Sequence, residues 1–166
     1  MNSTASPVLT FRSDSEPLFS YMAYIARNLV QCSRERIYHQ HTLLPSLPKF
    51  VKAIFKKCRL SPAVTVVGLI YLERLKKNLP NGAKGEYDTP YKLFLAAMIL
   101  ATKYIEDHSG HAVYIYRVVS PIYTPQELNE MERSFLNILK FNLYVDSDQV
   151  DKFVKAHQDK LQLHFA

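Results

Sequence analysis

Only two cysteines, Cys32 and Cys58, occur in the 166 residues, and they stand too far apart to form a redox or metal-binding motif. The N-terminus, Met1 to Leu9, also lacks the basic-then-apolar pattern of a secretory signal. Both features predict free thiols in a reducing compartment, and a nuclear and cytoplasmic location. No apolar run approaches the roughly 20 residues that span a bilayer. No segment alternates apolar and polar residues convincingly, so strands are not expected. A Gly-rich phosphate loop, a Gly-x-Ser-x-Gly elbow and a His-Glu-x-x-His pair are all missing. No catalytic centre is therefore expected, and the chain reads as a non-enzyme. His39-x-His41 and His108-x-x-His111 have no cysteine or carboxylate at helical ligand spacing, so neither a metal nor a cofactor is expected.

What is present fits one domain with a sizeable core, since 48% of the residues are hydrophobic. The 21 Lys and Arg against 15 Asp and Glu give a net charge of +6, a surface suited to acidic partners and equally to simple solubility. Residues 1–14 are Ser-, Thr- and Pro-rich and predict a disordered tail, leaving 15–166 as the folded domain. Leu18, Met22, Ile25 and Leu29 recur at helical spacing, and a polar loop from Ser33 to Thr42 follows. Ser46 then predicts a cap for a helix whose stripe is Leu47, Val51, Ile54, Phe55 and Cys58.

Three further helices begin at Ser61-Pro62, Thr89-Pro90 and Thr124-Pro125, each a hydroxyl cap followed by a proline preset for the first turn. Thr124 adds a capping box with Glu127. The first two helices are apolar around most of their circumference, over Ala63 to Leu72 and Leu93 to Ala101, which predicts central burial. A loop with two of the four glycines, Pro80 to Gly85, joins them. A short helix over Ala112 to Val119 precedes the third, whose core face is Leu128, Met131, Phe135, Ile138 and Leu139. A terminal helix is expected at 147–162, so the fold class is all-α.

Two charged residues carry the functional reading. Lys103 near a helix end complements the helix dipole and has Glu106 and Asp107 within reach. Glu132 has Leu128, Asn129, Phe135 and Leu136 as its helical neighbours, so no cation on its own helix answers it. A carboxylate in partly apolar surroundings needs a partner, either Lys103 or a group on another protein. The basic set Lys52, Lys56 and Arg59, with Lys49 and Lys57 beside it, reads as a patch for an acidic partner or as a solvated face. Among five Ser/Thr-Pro pairs, Ser6 in the tail is the candidate phosphosite.

Lys103 and Glu132 stand 29 residues apart, and other motifs keep the same order. These are Tyr71-Leu72-x-x-Leu75, Thr89-x-x-Lys92-x-Phe94-Leu95-Ala96, Lys103-Tyr104-Ile105-Glu106-Asp107 and Asn129-Glu130-Met131-Glu132. From Ser46 to Tyr144 the chain resembles the cyclin box, and most of all the single-box fungal cyclins that serve the phosphate-responsive kinase of yeasts. The resemblance implies a five-helix bundle over about 46–145 with a flanking helix at each end. It implies a regulatory subunit that binds and activates a cyclin-dependent serine/threonine protein kinase by positioning its C-helix, with protein substrates of that kinase as further partners. Lys103 and Glu132, with Tyr104, Glu106 and Asp107, would form the kinase interface. Two departures stand out: the Asn-x-x-Trp of many relatives is replaced by His111-Ala112-Val113-Tyr114-Ile115-Tyr116, and the Met-Arg-Ala-Ile-Leu docking patch is absent. The alternative reading is a nucleic-acid-binding module of the transcription-factor type, which usually carries two repeats. Only 22 residues follow Tyr144.

Overall fold

A computed structural model describes residues 9–11, 16–106, 110–161 and 163–165. Helices dominate them: α1 (Glu16–Arg27), α2 (His39–Thr42), α3 (Leu47–Lys57), α4 (Pro62–Asn78), α5 (Thr89–Ile105), α6 (Gly110–Val118), α7 (Pro125–Ile138), α8 (Ser147–Ala156) and α9 (Gln158–Leu161). Two minimal strand pairs complete the described fold. β1 (Leu9–Phe11) runs antiparallel to β4 (Leu163–Phe165), and β2 (Gln31–Cys32) pairs in parallel with β3 (Lys84–Gly85). The all-α class therefore holds. Among the described residues no helix is long and apolar enough to cross a membrane.

The core is organised around α4 and α5. Ten of the α4 residues and eleven of those on α5 are buried, the outcome expected for helices apolar on nearly every side. Their backbones approach closely at Gly68, where a Cβ would stand 2.6 Å from the terminal methyl of Met98. α1 and α3 pack against this pair, and α7 covers another flank of α5. Leu18 and Met22 of α1 are fully buried, and Phe19 meets Phe55 of α3 edge-to-face at 4.9 Å between ring centres. Both cysteines are free, and burial pushes the Cys58 thiol up to about 11.

The helix starts divide by the position of their prolines. Ser61 accepts the Val64 N–H, and Thr124 accepts the Glu127 N–H while Glu127 answers the Thr124 backbone, so both caps form as expected. Ser46 stands at the cap position but its side chain makes no cap bond. Pro48 occupies the second helical position there, which removes one of the two N–H groups a cap can accept from. At Thr89 the cap position belongs instead to Asp88, again with proline second in the helix and no cap bond. The Thr89 hydroxyl accepts the Glu86 N–H at 2.9 Å and closes the preceding turn, while Asp88 faces inward.

Three other expectations are corrected. Leu9–Phe11, placed in a disordered tail, forms a strand because residues 163–165 lie alongside it; the candidate phosphosite Ser6 lies outside the described residues. The polar loop from Ser33 to Thr42 ends in α2. The terminal helix at 147–162 breaks at His157, and its first segment is capped by Asp146, which accepts the Gln149 N–H at 2.8 Å.

Leu95 and Leu100 are buried in α5, and truncation of either to Ala leaves a cavity expected to cost roughly 2 to 5 kcal/mol in a denaturant melt. A second expectation concerns Glu127. Burial opposes its charge, but hydrogen bonds from Gln40 and from the Thr124 backbone and hydroxyl, with Lys92 nearby, hold its carboxyl below the ordinary value. A lowered carboxylate pKa gives stability that is present above the unfolded value and is lost as pH falls through the folded one. Glu127→Gln should therefore destabilise the chain by up to about 1 kcal/mol at pH 7. That difference should shrink toward zero in melts taken below about pH 4.

Candidate functional site

Lys103 lies in the last turn of α5 and Glu132 in the middle of α7, and the packing of these two helices brings the side chains together. The ammonium donates to Glu132 Oε2 at 2.8 Å. The partners sit in different environments, with the Lys103 side chain 44% exposed and that of Glu132 only 10% exposed. The carboxylate is thus the group that needs support, and a third helix supplies it. The Tyr116 hydroxyl of α6 donates to Glu132 Oε1, lies 3.1 Å from Asn129 Oδ1, and accepts from Lys103 at 3.5 Å. Lys103 also stands 5.6 Å from the centre of the Tyr116 ring, within cation–π range. Burial, followed by the Glu132 carboxylate, raises the Tyr116 hydroxyl above its ordinary pKa, so it stays a proton donor.

The spacing of Lys103 and Glu132 identified the pair, but not Tyr116. Its segment is the one that departs from the Asn-x-x-Trp pattern, yet the helix forms and its tyrosine completes the site. Exposed apolar side chains follow Lys103 in sequence and occur on the loop after α7 that bonds to Tyr104. Tyr104 and Ile105 are exposed beside Lys103, and Phe141 and Tyr144, just beyond α7, are each 67% exposed. The backbone carrying them is fixed: Tyr71 donates to Leu143 O, Arg74 to Asn142 O and Tyr144 O, and the Tyr104 hydroxyl accepts the Val145 N–H. Lys140 and Phe141 both have positive φ, 55° and 57°, a left-handed conformation unusual for such side chains. Between α5 and α7 a groove opens over Leu93, Ala96, Met131, Phe135 and Ile138, edged by Lys92 and Glu130.

The other expected site residues disperse. Glu106 pairs with His111 rather than Lys103, and Asp107 lies outside the described residues. In the basic set, Lys52 is paired with Glu16, while Lys56 and Arg59 are exposed. His41 does gain carboxylates that the sequence spacing had not offered it, since its ring, Glu86 and Asp88 place ligand atoms within 4.8 Å of one another. The ring's chemistry argues against a metal there. His41 Nδ1 accepts the Ile37 N–H at 3.1 Å, so the imidazole proton sits on Nε2. That nitrogen faces Asp88 Oδ1 at 3.3 Å, off the ideal hydrogen-bond line, and has no free lone pair for an ion. Asp88 Oδ2 accepts from Tyr123 at 2.9 Å and lies 3.6 Å from Lys92. The buried His41–Asp88 contact sets α2 against the start of α5.

A family model, the cyclin N-terminal domain, matches residues 19–144 of the chain. The chain belongs to the cyclin family. The match begins at Phe19 and so takes in most of α1 as well as the five helices around α5. Among curated proteins, the chain is 30% identical over 109 residues to PHO85 cyclin-1 of Saccharomyces cerevisiae, covering 66% of this chain and 39% of that one. It is 21% identical over 137 residues to PHO85 cyclin-2 of the same yeast, covering 82% and 44%. Cyclin-U2-1 of Arabidopsis thaliana is 26% identical over 101 residues, covering 61% and 44%. The chain thus spans about two fifths of the length of these relatives. No solved structure matches it.

The asymmetry of the pair sets the stability expected of its variants. Lys103→Met should cost the free chain about 1 kcal/mol or less, because a half-exposed ammonium contributes little. Glu132→Ala should cost about 1 to 3 kcal/mol, because it strips two donors of a shared, buried acceptor. Urea denaturation of both variants checks the order, and a larger loss for Lys103→Met would contradict it.

Proposed function

We propose that this cyclin binds and activates a cyclin-dependent kinase through the face where α5, α6 and α7 meet. The carrying observation is a polarised charge pair, half open to solvent, beside exposed Tyr104 and Ile105, with Tyr104 bonded to the loop that bears exposed Phe141 and Tyr144. Exposed aromatic anchors beside a few charges are the make-up of a protein-binding centre rather than of a solvated surface. Lys103 presents an N–H donor array, and Glu132 holds it in place from below. A kinase C-helix supplies backbone and charged groups of both signs to meet such a face, and holding that helix inward lets its glutamate reach the lysine that positions ATP phosphates. The subunit contributes position and no chemistry of its own. The names of the two yeast relatives favour a kinase of the phosphate-responsive type, and protein substrates of that kinase would be the further partners. Two free thiols fit the reducing interior of the nucleus and cytoplasm. The family match favours this reading over a nucleic-acid-binding module.

The test is a titration of the purified chain against such a kinase, with activity read alongside binding. Lys103→Ala, Glu132→Ala and Phe141→Ala should each weaken binding by about 2 kcal/mol or more, while circular dichroism shows the helices intact. The chain alone should transfer no phosphate. Full affinity in all three variants would refute the assignment of this face.

A further inference from the structure

A cleft on another part of the molecule is lined by Arg27, Asn28, Gln31, Ser33, Arg34 and Tyr87. It lies where the end of α1 meets the β2–β3 pair, and Ser33 N–H donates to Gly85 O at 3.0 Å to fix that junction. A third arginine approaches from the rim: Arg36 donates to the Tyr87 hydroxyl at 3.1 Å, and its guanidinium carbon lies 5.1 Å from the centre of the Tyr87 ring. Arg36 is therefore held in place before any ligand arrives. Among the described residues none of these three guanidinium groups has an ion pair with a carboxylate, and no acidic side chain lines the cleft. Unpaired cations also occur elsewhere on the surface, as at Lys56 and Arg59, but here three arginines gather about one concave, hydrogen-bonded junction.

We infer that this cleft is a docking site for a phosphorylated protein segment, with a phosphoserine or phosphothreonine seated between Arg27 and Arg34. A phosphoryl group brings a charge near −2 and three acceptor oxygens. Guanidinium forks match that geometry in pairs, which a lysine ammonium does not. Ser33, Asn28 and Gln31 add neutral polar groups for the remaining oxygens and the flanking backbone, and the Tyr87 ring gives the segment an apolar wall. The choice of a protein segment over a free anion rests on the proposed function, since a kinase subunit meets phosphoserine and phosphothreonine as the products of its own complex. A substrate already phosphorylated once would then be retained by the regulatory subunit for further modification.

The test uses the whole chain and a fluorescent, otherwise uncharged peptide carrying one phosphoserine, read by fluorescence polarisation. The phosphopeptide should bind at least tenfold more tightly than its unphosphorylated twin. Arg27→Gln and Arg34→Gln should each weaken it about tenfold or more, Arg34→Lys less than Arg34→Gln, and Lys103→Ala not at all. Kinase binding should survive the arginine variants, so this site and the kinase face fail or stand separately. Equal binding of the two peptides, unchanged affinity in the Arg27→Gln, Arg34→Gln double variant, or inorganic phosphate competing as strongly as the phosphopeptide would each overturn the inference.

Discussion

The burial of α5 is the constraint from which the rest follows. Its seventeen residues carry only two charged groups, Lys92 and Lys103, and the stretch from Phe94 to Thr102 is shut off from water. A helix of that kind has to be surrounded, and α1, α3, α4 and α7 are the surrounding layer. Polar chemistry is thereby pushed to its two ends. At the start, Asp88 meets His41, Tyr123 and Lys92; near the finish, Lys103 meets Glu132 and Tyr116. Each end sets a buried carboxylate against a tyrosine hydroxyl and a lysine. The first end is closed and holds α2 in place, while the second opens to solvent on one side. That difference in exposure, rather than a difference in residue type, separates the closed cluster at Asp88 from the half-open one at Glu132.

How much of this was legible depended on the range of the contact concerned. The apolar runs Ala63 to Leu72 and Leu93 to Ala101 announced the central helices because a helix records its surroundings in its own periodicity. Ser61 and Thr124 were readable as caps because both partners of a cap lie within four residues. Ser46 and Thr89 looked the same locally, but a proline one position later removes the donor, and at Asp88 tertiary partners compete for the side chain. Glu132 was conspicuous by lacking any cation on its own helix, and the answer at Lys103 followed. Tyr116 left no such trace. Its role comes from the meeting of three helices, and nothing in a stretch of alternating tyrosines distinguishes the one whose hydroxyl turns inward. The pairing of Leu9–Phe11 with residues 163–165 was invisible for the same reason at greater length, since each strand is only three residues long and its partner lies at the other end of the sequence.

The proposed kinase face and the proposed arginine cleft would store binding capacity in one small domain in two ways. On the first, a charge is already neutralised in the free chain, so docking would trade one set of contacts for another and specificity would rest on shape and on the exposed aromatics. In the second, cations are left uncompensated at the surface, and attraction acts before contact, at the distances over which salt screens. Sensitivity to ionic strength should therefore differ between the two faces, with the cleft the more affected.

The β1–β4 pair has a mechanical consequence. Leu9 lies opposite Phe165 and Phe11 opposite Leu163, so the strands enter and leave the domain side by side. Tension applied through the residues flanking this pair on either side loads its hydrogen bonds one after another, as in opening a zip, and not all together as in shear. A pull on the tethered domain would open this clasp first and leave the helical bundle unloaded until it had parted.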